Sequence, residues 1–437
     1  MINKDTIKLI IRQFQSSTLP EMITRNLSLP VNSGKIISLT GVRRCGKTYL
    51  LFDTIKRLKN KGIPAENILY LNFEDERLSL ETHELDLIIQ AWRELHNGVL
   101  TKSHYFFFDE IQNIANWEKF VRRLYDSETT NIFITGSNSA FLSTEIATSL
   151  RGRTLTFEVF PFGFDEYLRF RNIQNDYFLP QTRAVILNEF DDFLFNGGFP
   201  ETIGKEPLIR NEILRTYYYL MLYKDLIERY NISSISVLKR FMEKLADNLT
   251  KGFSINKVYK VLRSIGLSMD KNLLYDLSIY AENIYLAFKI ERYSYSLASR
   301  KRSDKKAYLI DNGLLNIIGH SFSLNKGKLL ENAIFIFLRN QLGSIYENRI
   351  FYYKDKTECD FVIFDINKPT HCIQVSYDIS DPKTKEREVN GLMDAMNNFM
   401  LNTGYIITAD QEEEMIIENK KIFIRPAYKV LIDNKLK

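Results

Sequence analysis

Residues 35–48 read KIISLTGVRRCGKT, a short apolar run that leads into the pattern GxxxxGK[ST]. Glycines at 41 and 46 let the backbone curl so that its N–H groups point at phosphate oxygens. Lys47 would reach the β- and γ-phosphates, Thr48 would hold Mg²⁺, and the following helix would add its positive dipole end. The residues predicted to contact the nucleotide are Gly41, Val42, Arg43, Arg44, Cys45, Gly46, Lys47, Thr48 and Tyr49.

A second apolar run, residues 105–108 (YFFF), ends in two acidic residues. Asp109 is placed to hold the Mg²⁺ hydration shell together with Thr48, and Glu110 to polarise the attacking water. An acidic strand end facing solvent is the alternative, and the presence of both elements in the expected order disfavours it. The sequence contains no NKxD guanine motif, which favours ATP over GTP. The chain is therefore predicted to hydrolyse ATP with Mg²⁺.

Strand-like runs alternate with helical patterns throughout the first 160 residues. The runs are residues 35–40, 67–73, 105–108, 132–135 and 155–160. Such alternation predicts an α/β fold with a parallel sheet, and burial on both faces explains why the strands are continuously apolar. Because residues 67–73 lie between the two phosphate-site motifs, we expect their strand to be inserted between the P-loop strand and the strand that ends in Asp109.

Two further catalytic positions are predicted in the segment after the fourth run. Asn138, or Ser137 beside it, would sit between the γ-phosphate and water as a sensor. The alternative, that these residues only form a strand-to-loop turn, has equal weight. Arg153, with Arg151 as second choice, would act as an arginine finger supplied by a neighbouring subunit. The alternative, that this residue is a surface arginine on a turn, has equal weight. The finger interpretation implies a homo-oligomer.

The bulk composition is that of an ordinary globular protein. The 437 residues are 45% hydrophobic and 26% charged, with a net charge of +5, which suggests two to four domains. This mild basic excess is compatible with nucleic-acid contact but does not argue for it alone. Cys45, Cys359 and Cys372 form no metal or disulfide spacing, and the expected location is the cytoplasm. No run of 18 apolar residues occurs, so no membrane span is expected.

The combined motifs resemble a known group, the AAA+ ATPases of bacteria and archaea with a C-terminal PD-(D/E)xK nuclease-like domain of unknown function. The resemblance covers nearly the whole chain. It rests on Leu19-Pro20, Arg25, residues 41–48, 108–112, 135–138 and 152–153, Pro161-Phe162, and residues 197–201, 308–314 and 331–332. It implies an additional-strand P-loop domain followed by a nuclease-like core.

In such a core, a helix Glu, a strand Asp and an E-x-K strand would bind metal and activate water. The matching positions here are Glu331, Asp360, Gln374 and Ser376. Glutamine is a poor ligand for a hard cation, and serine cannot replace the charge of lysine. A lysine migrated from Lys354 or Lys356 is the alternative. We expect an inactive nuclease-like fold kept for binding or assembly.

Residues 236–309 resemble a winged helix-turn-helix. Lys271 and Asn272 would open its recognition helix, and Asp304 is the only acidic residue in the basic run of residues 300–306. A basic wing suits contact with DNA phosphates. A solvated basic hairpin and a module used only for protein contact remain open. The DNA-binding candidates are Lys271, Asn272, Arg300, Lys301, Arg302, Lys305 and Lys306.

The predicted organisation has four parts. These are a P-loop AAA+ core (1–165), a helical lid or linker (166–235), a winged helix (236–325) and the nuclease-like domain (326–437). The expected function is ATP hydrolysis by an oligomer acting on DNA. The alternatives are a nucleotide-gated protein-interaction switch with little turnover and an ATP-driven nuclease.

Overall fold

The computed structural model describes residues 3–96, 104–136, 149–319 and 325–436. The chain divides into two compact units, Met1–Val159 and Phe160–Lys437. The boundary falls six residues before the predicted one at 165, since the first sheet is complete at its fifth strand.

The first unit is built on a five-stranded sheet whose neighbouring strands are all parallel. Its strands are β1 (Ile36–Thr40), β2 (Ile68–Asn72), β3 (Tyr105–Asp109), β4 (Ile132–Gly136) and β5 (Thr154–Glu158), in the order β2-β3-β4-β1-β5. The first four strands are almost wholly buried, as expected for a parallel sheet covered on both faces.

The position of β2 differs from the prediction. The strand between β1 and β3 is β4, and β2 lies at the edge of the sheet beside β3. The expectation that residues 67–73 supply the inserted strand is therefore wrong. The order of the motifs along the chain does not determine the order of the strands in the sheet. After β3 the chain crosses back toward β1, so β4 is the strand inserted between them.

The helices of the first unit are α1 (Lys4–Ser16), α2 (Lys47–Asn60), α3 (Asp86–Leu95) and α4 (Trp117–Ser127). The apolar spacing of α1 places Ile7, Ile10 and Ile11 on one face. These side chains are buried in one cluster with Phe106 and Phe108 of β3. Helix α1 is thus part of the core around the sheet. Short 3₁₀ turns span Ala65–Asn67, Glu76–Leu78, Thr82–Glu84 and Ile111–Asn113.

The second unit begins with helices and ends with a sheet. Its helices are α5 (Phe164–Phe170), α6 (Pro180–Asn196), α7 (Pro207–Leu220), α8 (Ile235–Asp247), α9 (Ile255–Ser264), α10 (Lys271–Asn283), α11 (Leu297–Arg302), α12 (Asn312–Ile318), α13 (Lys326–Leu342), α14 (Pro382–Asn398) and α15 (Ala427–Asp433). A π-helical stretch, Met221–Glu228, continues α7. Short 3₁₀ turns span Pro200–Thr202 and Gly343–Asn348.

Nine strands of the second unit form one sheet. They are β6 (Gly252–Phe253), β7 (Ala287–Arg292), β8 (Lys305–Leu309), β9 (Ile350–Lys354), β10 (Glu358–Asp365), β11 (Lys368–Val375), β12 (Thr403–Thr408), β13 (Glu413–Ile417) and β14 (Lys420–Pro426), in the order β13-β14-β12-β11-β10-β9-β7-β8-β6. The predicted boundary at 325 separates strands that share this sheet, because β7 pairs with β9. Strand patterns alone do not reveal which edges pair.

Among the described residues, no helix is long and apolar enough to cross a membrane.

Candidate nucleotide site

The turn from β1 into α2 has the backbone that its glycines permit. Gly41 and Gly46 have φ angles of 142° and 99°, and Arg44 between them has 65°. A Cβ on Gly41 would lie 2.0 Å from the carbonyl oxygen of Val159, so a larger residue cannot follow Thr40 here. The loop is a compact turn at the N-terminus of α2, where free backbone N–H groups favour an anion.

The Lys47 side chain is folded back onto this loop. Its ammonium donates hydrogen bonds to the carbonyl oxygens of Gly41 (3.0 Å) and Val42 (3.1 Å) and lies 4.0 Å from a Glu110 carboxylate oxygen. The residue is only 5% exposed. Its charge is thus held by backbone dipoles rather than by a direct carboxylate hydrogen bond. Phosphate oxygens can take the place of those carbonyls without leaving a carboxylate unpaired.

Asp109 ends β3 and is almost completely buried. Its carboxylate accepts hydrogen bonds from the hydroxyls of Thr135 (2.5 Å) and Tyr70 (2.9 Å), and another from Thr48. Burial raises the pKa of Asp109, and these three hydroxyl donors oppose that effect. The two predicted magnesium ligands, Thr48 and Asp109, therefore lie side by side.

The donor set fits magnesium. A hydroxyl and a carboxylate are hard oxygen ligands, and Mg²⁺ commonly combines one or two protein ligands with water and substrate phosphates. Within the described parts of the chain, no cluster of three or more His, Cys, Asp or Glu residues could hold a metal by itself.

Glu110 follows directly and adopts the left-handed backbone conformation, with φ of 50°. Its N–H donates to the hydroxyl oxygen of Thr135 at 2.8 Å, and the Gln112 amide donates to its carboxylate. The side chain is 13% exposed, which leaves it accessible from the loop side. Thr135 thus orients both acidic residues at once.

Four residues near the site were not predicted as functional. Thr135 and Gln112 lie in motifs that carry the family resemblance, but the sequence assigns them no role. Arg25 donates to the carbonyl oxygen of Cys45 at 3.0 Å and so supports the loop. Tyr70 lies in the middle of β2 and carries no local signal.

The remaining catalytic predictions are less well placed. Ser137 and Asn138 lie outside the described residues. Arg153 lies directly before β5, at the amino ends of the parallel strands, whereas the P-loop lies at their carboxyl ends. Its side chain makes a bidentate pair with Asp126 (3.1 and 3.3 Å). Arg151 is exposed on the adjoining turn, with φ of 49°. Neither arginine reaches its own nucleotide site.

The basic run 300–306 is locally neutralised, contrary to the prediction. Lys301 and Lys305 both pair with Glu291 of β7, at 3.1 and 3.0 Å. Arg300 lies over the rings of Tyr293 (4.8 Å) and Phe351 (5.0 Å). The expectation that Asp304 is the only opposing charge is wrong, because the β7–β8 pair brings Glu291 opposite these cations.

Helix α10 starts where predicted but does not present a basic face. Asp270 caps it by accepting the Asn272 N–H. Lys271 is its only cation and lies 5.8 Å from the ring centroid of Tyr275. The exposed face includes Tyr275 and Ile279, which are 45% and 51% exposed. This surface is more apolar than a phosphate-binding face.

Lys306 is not a surface residue at all. It is 2% exposed, and its ammonium lies 2.8 Å from Asp360, 2.9 Å from Glu358 and 3.2 Å from Glu331. Its assignment as a phosphate contact is wrong, because the alternation of β8 turns this side chain inward. The predicted nuclease-like carboxylates, Glu331 and Asp360, are thus brought together around a lysine from another strand.

Of the other two nuclease-like positions, only Gln374 joins this network. Gln374 accepts from the Asp360 N–H (3.2 Å) and donates to Glu388 (2.5 Å). Ser376 turns away and donates to the Asp378 carbonyl. The exposed Lys354 pairs with Glu358 on the outside, so neither it nor its neighbour Lys356 supplies the buried charge.

Two regions of the chain match known domain families. Residues 33–168 match an AAA domain, and residues 187–324 match a domain of unknown function, DUF8612. The chain is 36% identical over 434 residues to "Uncharacterized protein MJ1544" of Methanocaldococcus jannaschii, which covers 97% of this chain and 94% of that protein. An uncharacterized protein of Haemophilus influenzae is 29% identical over 370 residues, 84% of this chain and 87% of its own length.

Solved structures are more distant. The Walker-type ATPase PABY2304 of Pyrococcus abyssi aligns with 73% of this chain and 96% of its own, at 13% identity and a TM-score of 0.42. The ORC1 protein of Aeropyrum pernix, solved in complex with DNA, aligns with 71% and 90%, at 12% identity and a TM-score of 0.30. The sequence match to the AAA domain, together with the five-stranded parallel sheet, identifies the first unit as a P-loop domain of AAA type.

Proposed function

The chain belongs to the same protein family as MJ1544 of Methanocaldococcus jannaschii, and we propose that it is a Mg²⁺-dependent ATP hydrolase of AAA+ type. One observation carries the proposal. Lys47, Thr48, Asp109 and Glu110 meet at the carboxyl edge of one parallel sheet, with the hydroxyl and carboxylate that suit magnesium in contact. This edge is where open α/β sheets bind ligands.

Each residue has a distinct task in the reaction. Lys47 would exchange its two carbonyl partners for β- and γ-phosphate oxygens, and Thr48 and Asp109 would hold the metal. Magnesium supplies charge neutralisation for the transferring phosphate when it is bound. Glu110, held by Gln112, accepts a hydrogen bond from the attacking water and orients it in line with the leaving group.

Assembly is part of the proposal. Arg153 lies at the amino ends of the strands, and the P-loop lies at their carboxyl ends. Arg153 therefore stabilises transition-state charge only in the site of a neighbouring copy. To do so it must leave Asp126, and their contact is partly exposed and therefore weak, on the order of 0–1 kcal/mol. We propose a homo-oligomer on this basis, with Arg151 as the second choice of finger.

Helices α8, α9 and α10 followed by the β7–β8 pair support a winged-helix module in the second unit. In the proposed action on DNA, Lys301 and Arg302 are the surface cations that contact phosphate. Lys301 is 73% exposed despite its pairing with Glu291. Arg302 is also exposed. The closed cluster around Lys306 supports a nuclease-like fold used for binding or assembly rather than cleavage.

A second function is favoured by a different surface. Val261 and Ile265 of the α9 segment and Tyr275 and Ile279 of α10 are each more than 40% exposed. Apolar side chains at the surface of a helix pair are more typical of protein contact than of phosphate contact. The alternative is therefore a nucleotide-gated switch that binds a protein partner with little turnover.

The experiment is ATP and GTP hydrolysis with Mg²⁺, with nucleotide binding followed by a fluorescent ATP analogue, in the presence and absence of DNA. Lys47→Ala should weaken binding, since the phosphates lose their cation. Lys35→Ala is the matched control, because Lys35 lies at the other end of β1 and bonds to the Gly152 carbonyl. Wild-type hydrolysis by Lys47→Ala would refute the site. Turnover unaffected by DNA would favour the switch.

A further inference from the structure

The hydroxyl of Tyr70 connects the N-terminal helix to the acidic strand end. Tyr70 is 8% exposed, and its ring stacks on Phe14 of α1 with centroids 4.4 Å apart. Phe52 of α2 lies on the same ring at 5.2 Å. The hydroxyl donates to one oxygen of Asp109. Three elements thus fix the direction of one hydrogen bond.

The acceptor capacity of Asp109 gives this bond its importance. A carboxylate offers about four lone-pair positions, and three are used by Thr135, Tyr70 and Thr48. Thr48 is the donor that the proposed function assigns to the metal, so its position becomes free when the nucleotide binds. Thr135 holds one oxygen and Tyr70 the other. Together they fix the plane in which Asp109 offers its free positions to metal-bound water.

The rings above Tyr70 show how α1 could influence this plane. Helix α1 is anchored by Ile7, Ile10 and Ile11, and Phe14 lies one turn further along it. Phe14 also stacks on Phe52, with centroids 6.1 Å apart, so it wedges between β2 and the P-loop helix. A displacement of α1 would tilt the Tyr70 ring and move the hydroxyl away from Asp109.

We propose that Tyr70 is a positioning residue for magnesium use, and that Phe14 makes this position depend on helix α1. The proposal rests on the proposed function, since it concerns the same phosphate site. Tyr70 touches neither nucleotide nor metal. It acts by holding one oxygen of the buried Asp109 in place, while Thr135 holds the other.

The test uses Tyr70→Phe in the full chain, which keeps the ring and removes the O–H. Tyr105→Phe is the matched control. Tyr105 is a buried tyrosine on the neighbouring strand β3, and its hydroxyl bonds to Asn32. Binding of a fluorescent ATP analogue and hydrolysis are measured over a range of Mg²⁺ concentrations. Tyr70→Phe should raise the Mg²⁺ concentration for half-maximal effect by roughly 10- to 100-fold, the loss of one hydrogen bond to a charged group.

Affinity for the analogue without Mg²⁺ should stay at the wild-type value in both variants. A merely structural defect would instead change this affinity together with the Mg²⁺ dependence. Phe14→Leu should shift the Mg²⁺ dependence in the same direction by a smaller factor. If Tyr70→Phe does not fold, Phe14→Leu carries the test. A Mg²⁺ dependence equal to that of Tyr105→Phe overturns the proposal. Absent hydrolysis in the wild type refutes the ATPase, whereas Mg²⁺-dependent binding still reports on Tyr70.

Discussion

Each unit contains a buried lysine beside carboxylates, and the two are arranged in opposite ways. Lys47 donates to two backbone carbonyls, and its nearest carboxylate oxygen is 4.0 Å away. Lys306 makes three ion pairs within 3.2 Å. A charge held by carbonyl dipoles can exchange them for phosphate, whereas a charge enclosed by three carboxyl groups cannot leave without unpairing them. The first site is open to a ligand and the second is filled by the protein itself.

The surroundings of the two clusters reinforce this contrast. Burial raises the pKa of Glu331 to about 8, partly offset by Lys306 and the Tyr308 hydroxyl. The adjacent Asp360 and Glu331 hold the pKa of Lys306 well above its usual value despite complete burial. The charged form of Lys306 is therefore favoured in the folded protein. A divalent cation at these carboxyl groups would have to displace this lysine, so we expect no metal there.

The largest expected effect is on turnover at the open site. Glu110→Gln should lower kcat by about 10²- to 10⁴-fold, because the amide cannot accept the proton of the attacking water. Nucleotide affinity should remain near wild type, since Lys47 and the loop are untouched. Steady-state hydrolysis and analogue binding measure the two effects. Glu66→Gln, an exposed change in the turn before β2, is the control. Equal kcat for both variants would remove Glu110 from the mechanism.

The filled site should instead respond in stability. Lys306→Met takes the cation away from Glu331 and Asp360, which are both buried, so unfolding of the second unit should be easier by about 3–5 kcal/mol. Lys47→Met removes the cation together with its two hydrogen bonds to carbonyl oxygens and breaks no direct hydrogen bond to a carboxylate, so the first unit should lose less stability than the second. Urea denaturation followed by a probe in each unit measures both.

A compensated variant sharpens this test. Lys306→Met combined with Glu331→Gln and Asp360→Asn removes the lysine together with the two buried carboxylates, and Glu358 keeps Lys354 as a partner. Well-packed neutral replacements of buried ion pairs are often tolerated. It should recover most of the stability lost in Lys306→Met. A triple variant as unstable as the single one would mean that the lysine acts by packing rather than by charge.

The open site could be predicted from the sequence far better than the filled one. Residues 41–48 and Asp109-Glu110 each form a continuous motif, so the residue spacing within each motif identifies the groups of this site. Tyr70 reaches Asp109 only because β2 pairs with β3, a fact of sheet order. The sequence predicts Lys306 as one of five surface cations, because a run of basic letters does not reveal which side chain the strand turns inward. Ion pairs between elements that are distant in sequence explain both errors in the basic run, namely the missing opposing charge and the surface position of Lys306.

The same cluster predicts that the stability of the second unit depends on pH. The pKa of Glu331 is raised from its ordinary 4.5 to about 8, so its protonated form is favoured in the folded state. Its contribution to stability is complete below pH 4.5 and is lost as pH rises to 8. Unfolding free energy should therefore fall across this window, by at most about 1.4 kcal/mol per pH unit. Glu331→Gln should remove the slope, and the exposed Glu386→Gln should keep it.

The smallest expected effect concerns the salt dependence of DNA binding. Five phosphate contacts from residues 300–306 would give a slope of log affinity against log salt of about four to five units, at 0.9 for each contact. Two exposed cations, Lys301 and Arg302, are the contacts that we propose. The double change Lys301→Ser and Arg302→Ser should flatten the slope by at most about two units. Lys383→Ser, an exposed change on α14, should leave it unchanged.

A change in the opposite direction tests the neutralisation directly. Glu291→Gln removes the shared partner of Lys301 and Lys305 and frees both for phosphate, since neither ion pair is buried. The slope should then become steeper by about one to two units. Duplex titrations at several salt concentrations measure all the variants. If the slope is the same in the double variant and in Glu291→Gln, the wing does not touch DNA, and the exposed apolar face of α9 and α10 becomes the expected contact with a protein partner.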